Sequence, residues 1–203
     1  MVKRHFVIVP GNGEGCAGSN FYPWLASELR SRGHTVSLSE MPEANAAPSG
    51  LWQRFILEES GADAASVLIG HSSGACAVLR LAEKGCFHGV VAVSMTDNDL
   101  GDAGERASGW YDAPWKWGTM RGHVKHLVVF ASDDDPFIPI ATQRRVGDFL
   151  EKAEAEADAD AANDSNAPTK GTFEYIELTK RSHFFAKKQL EILQSVLRVA
   201  EAE

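Results

Sequence analysis

The pentapeptide Gly-His-Ser-Ser-Gly at positions 70–74 places a serine between two outer glycines. It follows an apolar run typical of a buried strand and precedes a helical pattern, which is the setting of a nucleophile on a sharp strand-to-helix turn. Glycine at both outer positions lets strand and helix approach, and the turn exposes the hydroxyl of Ser72. The N–H of Ser73 then lies at a helix N-terminus, where it can donate to a developing oxyanion. We therefore predict Ser72 as a nucleophile and Ser73 as part of an oxyanion hole.

A serine hydroxyl is a weak nucleophile until a base removes its proton, and the base needs an acid to orient it. In this type of site the acid and the histidine follow the serine along the chain, each just past a later strand. Asp135 fits the acid because two prolines make its turn rigid, and His183 fits the base because it lies between the last strand and the last helix. Asp134 is the rival acid, and Asp97 and Asp99 are remoter alternatives.

The loop after the first apolar run is rich in glycine and has two interpretations. Gly13, Gly15 and Gly18 match the G-x-G-x-x-G pattern of a dinucleotide site, with Glu40 as a ribose-binding acid. In such a site the third glycine lies in the first helical turn, whereas here the predicted helix begins later. We therefore favour an oxyanion loop in which the N–H of Asn12 or Gly13 supplies the second donor.

Aromatic side chains cluster in the irregular segment 96–117. They could wall a pocket for small apolar acyl groups, or they could pack the segment onto the body of the protein, and the sequence leaves both open. The predicted substrate contacts are Gly13, His71, Trp110, Trp115, Trp117 and Phe137. The remaining histidines occur near the amino starts of strands, at the wrong end of the sheet for catalysis: His5, His34, His88, His123 and His126.

Short apolar runs alternate with helical patterns along the chain, which favours a parallel sheet covered by helices on both faces. The predicted strands are 6–9, 35–38, 66–69, 90–93, 126–130 and 173–178, and the predicted helices are 21–32, 51–58, 75–84, 142–153 and 186–200. The fold class is therefore α/β, a three-layer α/β/α sandwich around a mostly parallel six-stranded sheet. Such a sheet brings the loops that carry Ser72, Asp135 and His183 to one edge.

Length and charge fit a single domain over residues 1–203. The net charge of −8 and the pI near 5.4 lack the basic stripe of a nucleic-acid-binding protein. The apolar run 6–9 is too short for a signal sequence or a membrane span. The three cysteines show no disulfide or metal-ligand spacing, which favours reduced thiols and a cytoplasmic location. The acidic, alanine-rich stretch predicts a flexible insertion at 152–171.

Three motifs together carry a family resemblance: Pro-Gly-Asn-Gly at 10–13, Gly-His-Ser-Ser-Gly at 70–74 and Asp-Asp-Pro-Phe at 134–137. With the segments 99–102, 105–109 and 114–117, they make the chain similar to the small serine hydrolases typified by retinoblastoma-binding protein 9 and its bacterial relatives. The resemblance implies a compact α/β-hydrolase fold without a large cap domain. It also implies that the serine, acid and histidine of the family correspond to Ser72, Asp135 and His183.

Two departures from the family limit what the resemblance implies. Ser182 precedes the histidine, where the family usually has glycine. The L-x-C-x-E signature is absent from the corresponding region 57–62, so binding to a retinoblastoma-type pocket is not expected.

The expected activity is hydrolysis of small ester, thioester or activated amide bonds through an acyl-enzyme on Ser72. This chemistry requires no metal and no cofactor, and its partner is a small-molecule substrate rather than a nucleic acid or a membrane. The subtype is open between a carboxylesterase and an aminoacyl-ester or peptide hydrolase. The alternative from another class is a protein-interaction module on a hydrolase scaffold with little or no catalytic activity.

Overall fold

The apolar runs form the six strands of one parallel sheet. The computed structural model describes residues 2–13, 16–161 and 171–202, with the backbone alone at 154–161. The strands are β1 (His5–Val9), β2 (Thr35–Leu38), β3 (Val67–His71), β4 (Phe87–Val93), β5 (Val124–Ser132) and β6 (Thr172–Leu178). Their order across the sheet is β2-β1-β3-β4-β5-β6, and every neighbouring pair is parallel.

Helices cover both faces of this sheet. They are α1 (Tyr22–Ser31), α2 (Ser49–Glu58), α3 (Ser73–Ala82), α4 (Ala103–Ala107), α5 (Trp117–His123), α6 (Ile140–Ala161) and α7 (Leu190–Glu201). Successive strand residues face opposite sides, so Phe6 and Ile8 of β1 pack in one core cluster with α1 and α7. Val7 and Val9 pack in a second cluster with α2, α3, α5 and α6. The predicted three-layer α/β/α sandwich is confirmed, with a sheet that is wholly rather than mostly parallel.

The structure differs from the sequence prediction at several element boundaries. The helices α4 and α5 lie in and just after the segment predicted to be irregular, because two short helices show no apolar repeat that a pattern search detects. The α4 helix has a local start signal instead, since the Asp102 carboxylate accepts the N–H of Glu105 at 2.9 Å. The strand β4 begins at Phe87 rather than residue 90, and α7 begins at Leu190 rather than residue 186.

The acidic, alanine-rich stretch continues the helix α6 through Ala161. The first half of the flexible insertion predicted at 152–171 is therefore helical, because alternating alanine and acid residues include strong helix formers. Residues 162–170 of that prediction lie outside the described residues. Within the described part of the chain, no helix combines the length and the apolarity that a membrane crossing demands.

Candidate active site

A cavity of about 610 Å³ opens at the carboxyl edge of the sheet. The loops that follow β1, β3, β4, β5 and β6 all contribute to its wall, as the common direction of parallel strands requires. Among the residues that line it are Asn12, Ser72, Glu105, Phe137 and His183. Segments far apart in the sequence therefore meet at one opening.

Ser72 occupies a sharp turn between β3 and α3. Its backbone lies at φ 56° and ψ −122°, which is a strained conformation for a residue with a side chain. The N–H of Ser72 donates to Val93 O at 2.9 Å, so the end of β4 holds the turn in place. This geometry matches the nucleophile turn predicted from the pentapeptide.

The two outer glycines of the pentapeptide permit close backbone approach. A Cβ atom on Gly70 would lie 2.2 Å from the carbonyl oxygen of Gly74, so strand and helix could not meet across a larger residue. A Cβ atom on Gly74 would lie 2.2 Å from Val9 O, at the end of the neighbouring strand β1. Both positions must therefore lack a side chain, and the steric reason differs between them.

Asp135 and His183 form a buried pair beside the cavity. The distance from Asp135 Oδ2 to His183 Nδ1 is 2.8 Å, and the two side chains are 0% and 6% exposed. Burial by itself raises the pKa of Asp135, but the hydrogen bond and charge of His183 and the N–H groups of Phe137 and Ile138 outweigh it and lower the pKa. The carboxylate therefore stays ionised at neutral pH and can orient the imidazole.

The remaining ring nitrogen of His183 makes no hydrogen bond to Ser72 in the part of the chain that the structure describes, although both residues line the same cavity. Hydrogen bonds between a nucleophile and its base are often long before substrate binds. Because Nδ1 is held by Asp135, Nε2 is the nitrogen left for the serine proton.

The rival acids have other partners. Asp134 Oδ1 accepts the N–H of Ser182 at 2.7 Å, so this carboxylate joins the loop after β5 to the histidine loop. Asp97 pairs with Arg145 and Asp99 pairs with Arg106. Among the four carboxylates considered from the sequence, the one that contacts the imidazole is the preferred residue, Asp135.

The histidine loop is fixed on both sides of His183. Ser182 and Phe184 adopt φ angles of 52° and 54°, so two left-handed residues flank the imidazole. The Phe184 side chain is fully buried and packs against Phe130 of β5 with ring centroids 6.3 Å apart. The loop therefore forms although serine replaces the usual glycine at position 182, and this serine adopts a conformation that favours glycine.

The sequence predicted two backbone N–H groups near Ser72 as oxyanion donors. Ser73 is the first residue of α3, and its N–H forms no hydrogen bond within the described residues. On the facing loop, a Cβ atom on Gly11 would lie 3.2 Å from Ser72 Cβ, which places this loop against the nucleophile. The N–H of Gly11 donates to the Tyr22 hydroxyl and that of Gly13 donates to Ala44 O. Asn12 is therefore the better of the two predicted second donors.

Gly13, a predicted substrate contact, is not among the residues that line the cavity. Its N–H is bonded to Ala44 and a Cβ atom there would face Cys16 Sγ at 3.2 Å. The dinucleotide interpretation of this loop also loses its acid, because the Glu40 carboxylate accepts the N–H groups of Cys16 and Ala17. Gly15 of that motif lies outside the described residues.

His71 lies beneath the site rather than only beside it. Its Nε2 is 2.9 Å from His183 O, and its Nδ1 is 2.5 Å from the Tyr22 hydroxyl. Burial, followed by the charge of His183, lowers the pKa of His71 to about 3. The ring is therefore neutral, with Nε2–H donating to the carbonyl and Nδ1 accepting from tyrosine. It lines the cavity, and its hydrogen bond to His183 O holds the loop that carries His183.

The three tryptophans predicted to contact substrate lie outside the cavity wall. Trp110 is fully buried and packs against Trp52 with centroids 6.1 Å apart. Trp115 stacks on Trp117 at 5.4 Å, and its Nε1 donates to Asp97 O at 2.9 Å. These rings pack the segment onto the protein body, which is the second of the two roles that the sequence left open.

Arg80 of α3 is the anchor for this segment. Its guanidinium lies 3.6 Å from the centroid of the Trp115 ring and donates to the backbone oxygens of Trp110, Ala113 and Pro114. An ion pair with Glu83 at 2.8 Å completes its contacts. A buried arginine with these five partner residues fixes the segment between α4 and α5 to the helix that starts at the nucleophile.

Sequence reasoning missed several residues of the cavity wall, of which Glu105 is the most informative. Its carboxylate accepts from Asn12 Nδ2 at 3.3 Å and from the Tyr111 hydroxyl at 3.2 Å. Burial, followed by the nearby charge of Asp102, raises the pKa of Glu105, although the Tyr111 hydrogen bond lowers it. A signal was present, because Glu105 starts one of the segments that carry the family resemblance. Phe137, a predicted substrate contact, lines the cavity together with Phe185.

Comparison with known proteins agrees with this architecture. The product of the ydeN gene of B. subtilis superposes with a TM-score of 0.77 at 16% identity, covering 99% of this chain and 100% of that one. Est1E from Butyrivibrio proteoclasticus superposes with a TM-score of 0.66 at 12% identity, covering 98% and 90%. These likenesses show the α/β-hydrolase fold.

A relative at higher identity shows the family. No family model matches the chain. The serine hydrolase RBBP9 of Rattus norvegicus is 39% identical over 147 residues, which are 71% of this chain and 79% of that protein. The protein therefore belongs to the serine hydrolase family of RBBP9, within the α/β-hydrolase fold.

Proposed function

We propose that the protein hydrolyses small ester, thioester or activated amide bonds through an acyl-enzyme on Ser72. One observation carries the proposal: the buried contact of 2.8 Å between Asp135 and His183, at the cavity that the strained Ser72 also lines. A carboxylate that fixes an imidazole in the same cavity as a serine hydroxyl is the arrangement that activates a weak nucleophile.

Acylation begins when Ser72 Oγ attacks the substrate carbonyl carbon and passes its proton to His183 Nε2. The carbonyl oxygen becomes an oxyanion that the N–H groups of Ser73 and Asn12 stabilise. A donor of this kind contributes on the order of 10²–10³ in rate. The bond to the leaving group then breaks, and His183 gives its proton to the departing oxygen, sulfur or nitrogen atom.

Deacylation repeats the sequence with water in place of the serine. His183 removes a proton from water as its oxygen attacks the acyl carbon. The bond between the acyl carbon and Ser72 Oγ then breaks, the proton passes from His183 to Oγ, and the acid leaves. Asp135 stays ionised throughout and stabilises the imidazolium that forms in each half-reaction.

The polar part of the wall favours an acyl group with an amino substituent, which is the aminoacyl-ester subtype. Glu105 is half-buried, and its hydrogen-bond partners Asn12 and Tyr111 are neutral, so no cation pairs with it among the described residues. A substrate ammonium group would neutralise this carboxylate. Replacement of Glu105 by Gln should raise KM for an alanine ester more than for the uncharged propionate ester of the same alcohol.

Labelling and kinetics together test the proposal. A fluorophosphonate probe should label the wild-type protein and fail to label the Ser72→Ala variant, and that variant should lose kcat by a factor on the order of 10⁶ on an active ester. The neighbouring Ser73→Ala variant is the matched control, because it keeps the backbone N–H and should still be labelled. If the wild type remains unlabelled, the serine is not activated, and an interaction module on a hydrolase scaffold becomes the better explanation.

A further inference from the structure

Two phenylalanine rings stand exposed at the mouth of the cavity. Phe137 and Phe185 are 60% and 47% exposed, although both are large and apolar. Their centroids lie 5.9 Å apart in an edge-to-face arrangement. Each ring also packs on the imidazole of His183, at 5.1 Å and 5.3 Å. Exposed aromatic rings that line a cavity next to a base are a site for apolar groups of a ligand.

The aromatic set is separate from the polar set of the cavity wall. Asn12, Glu105 and Tyr111 form the polar set through hydrogen bonds of 3.3 and 3.2 Å. No hydrogen bond or ring contact joins these residues to Phe137 or Phe185 in the described part of the chain. The cavity therefore presents one hydrogen-bonding side and one aromatic side.

The proposed mechanism decides which part of a substrate meets the aromatic side. His183 must donate its proton to the leaving atom, so that atom comes within hydrogen-bond distance of Nε2, roughly 3 Å. Phe137 and Phe185 lie beside the same imidazole, so a group attached to the leaving atom extends along their faces. In that mechanism the acyl group is bound to Ser72, and its oxygen faces the N–H groups of Ser73 and Asn12.

We propose that Phe137 and Phe185 form a leaving-group subsite that selects apolar, ring-bearing alcohols or amines. This inference rests on the proposed function and adds to it the chemistry of the departing half of the substrate. Contact with the two rings favours such substrates in the acylation step alone, because the leaving group has gone before water attacks. The preference therefore belongs to kcat/KM and not to the rate of deacylation.

A pair of esters with one acyl group tests the subsite. The 2-phenylethyl and ethyl esters of propionic acid form the same acyl-enzyme and release primary alcohols. We expect the wild type to prefer the phenylethyl ester by roughly tenfold in kcat/KM, as for one apolar group in a specificity pocket. In Phe137→Ala and Phe185→Ala this ratio should fall, and in the double variant it should approach one. Both side chains are exposed, so their truncation leaves the core packing intact.

Phe149→Ala is the matched control. Phe149 is 40% exposed and stacks on Trp117 at 5.7 Å, outside the cavity wall. Loss of its ring should leave the ester ratio at the wild-type value. An equal loss of the ratio in this control would overturn the assignment to Phe137 and Phe185.

A second pair of esters assigns the preference to one half of the substrate. Ethyl 3-phenylpropionate and ethyl propionate differ only in the acyl group, and their ratio should stay unchanged in the double variant. The subsite is refuted if this acyl ratio changes instead, if all esters slow equally, or if the wild type shows no leaving-group preference. Fluorophosphonate labelling of the wild type separates these failures from a failure of the proposed function, since labelling persists when only the subsite is wrong.

Discussion

The hydroxyl of Tyr22 lies 2.5 Å from Nδ1 of His71, and this contact connects two loops of the site. The other nitrogen of His71 is 2.9 Å from His183 O, while the Tyr22 oxygen accepts the N–H of Gly11 at 3.2 Å. One buried chain of hydrogen bonds therefore extends from the loop after β1, through helix α1 and the residue before Ser72, to the loop that carries His183.

Removal of the Tyr22 hydroxyl should weaken both stability and catalysis. In Tyr22→Phe the N–H of Gly11 and Nδ1 of His71 lose their partner in a buried setting, which costs about 1–3 kcal/mol of unfolding free energy. We expect kcat to fall about tenfold with little change in KM, because the loops rather than the binding surface are affected. Urea unfolding and steady-state kinetics measure the two effects. A wild-type free energy of unfolding together with a wild-type kcat would show that this chain of hydrogen bonds does not position the two loops.

The neutral His71 ring predicts a pH dependence of stability. In the unfolded chain its imidazole takes up a proton near pH 6.5, whereas in the folded protein the pKa of His71 is lowered to about 3. The unfolded state therefore binds more protons between these values, and the free energy of unfolding falls as pH drops through this window, by up to about 1.4 kcal/mol per unit. His71→Gln removes this titration, so urea midpoints between pH 7 and 4 should fall less steeply than in the wild type. Equal slopes of urea midpoint against pH in the wild type and the variant would contradict a lowered pKa of His71.

Neighbouring aspartates at 134 and 135 form a matched pair for testing the acid. Asp135→Asn should lower kcat by a factor on the order of 10⁴, because the amide favours the wrong tautomer of His183. Asp134→Asn should cost much less, since Asp134 bonds to the backbone N–H of Ser182 and not to the imidazole. Comparable losses in the two variants would refute the assignment of Asp135.

Ser182 is predicted to be a site of stabilisation. It lies at φ 52°, where a Cβ atom is unfavourable and glycine is not. Ser182→Gly should therefore raise the free energy of unfolding by about 0.5–1 kcal/mol, the relief of backbone strain exceeding the added freedom of the unfolded chain. Thermal unfolding measures the shift. A lower melting temperature would mean that the loop tolerates serine without strain.

The steric role of Gly74 can be tested against a second glycine. In Gly74→Ala the new Cβ atom would lie 2.2 Å from Val9 O, and backbone cannot move aside cheaply. We expect a loss of about 3 kcal/mol or more. Gly85→Ala is the control, because a Cβ atom there meets nothing within 4 Å. Similar stabilities of the two variants by chemical denaturation would remove the steric argument.

The sequence alone identifies Ser72 and the two loops of its proposed partners because the signals are local. A buried apolar run, a small-residue turn and a helical pattern identify Ser72, and the same succession identifies the loops of Asp135 and His183. The sequence favoured Asp135 over Asp134 but could not decide between them, since adjacent side chains in one turn point in different directions. Which carboxylate reaches the imidazole is a property of the folded loop.

The composition of the cavity wall was harder to predict because it depends on long-range contacts. Asn12 and Glu105 are 93 positions apart and meet only after β1 and the segment beyond β4 have been placed. Trp110 was expected at the surface of a pocket, yet it is buried against Trp52, and no local pattern marks an irregular segment as packed. Aromatic content alone does not tell whether a ring faces substrate or core.

The attachment of the tryptophan segment to α3 through Arg80 has a consequence for how molecules enter and leave. The same helix carries Ser72 at its start, and Tyr111 of this segment lines the cavity, so one part of the cavity wall and the nucleophile are attached to a single helix. We expect no lid opening in the catalytic cycle. The opening of the cavity then keeps one shape throughout turnover, and that shape limits the size of the substrates that can enter.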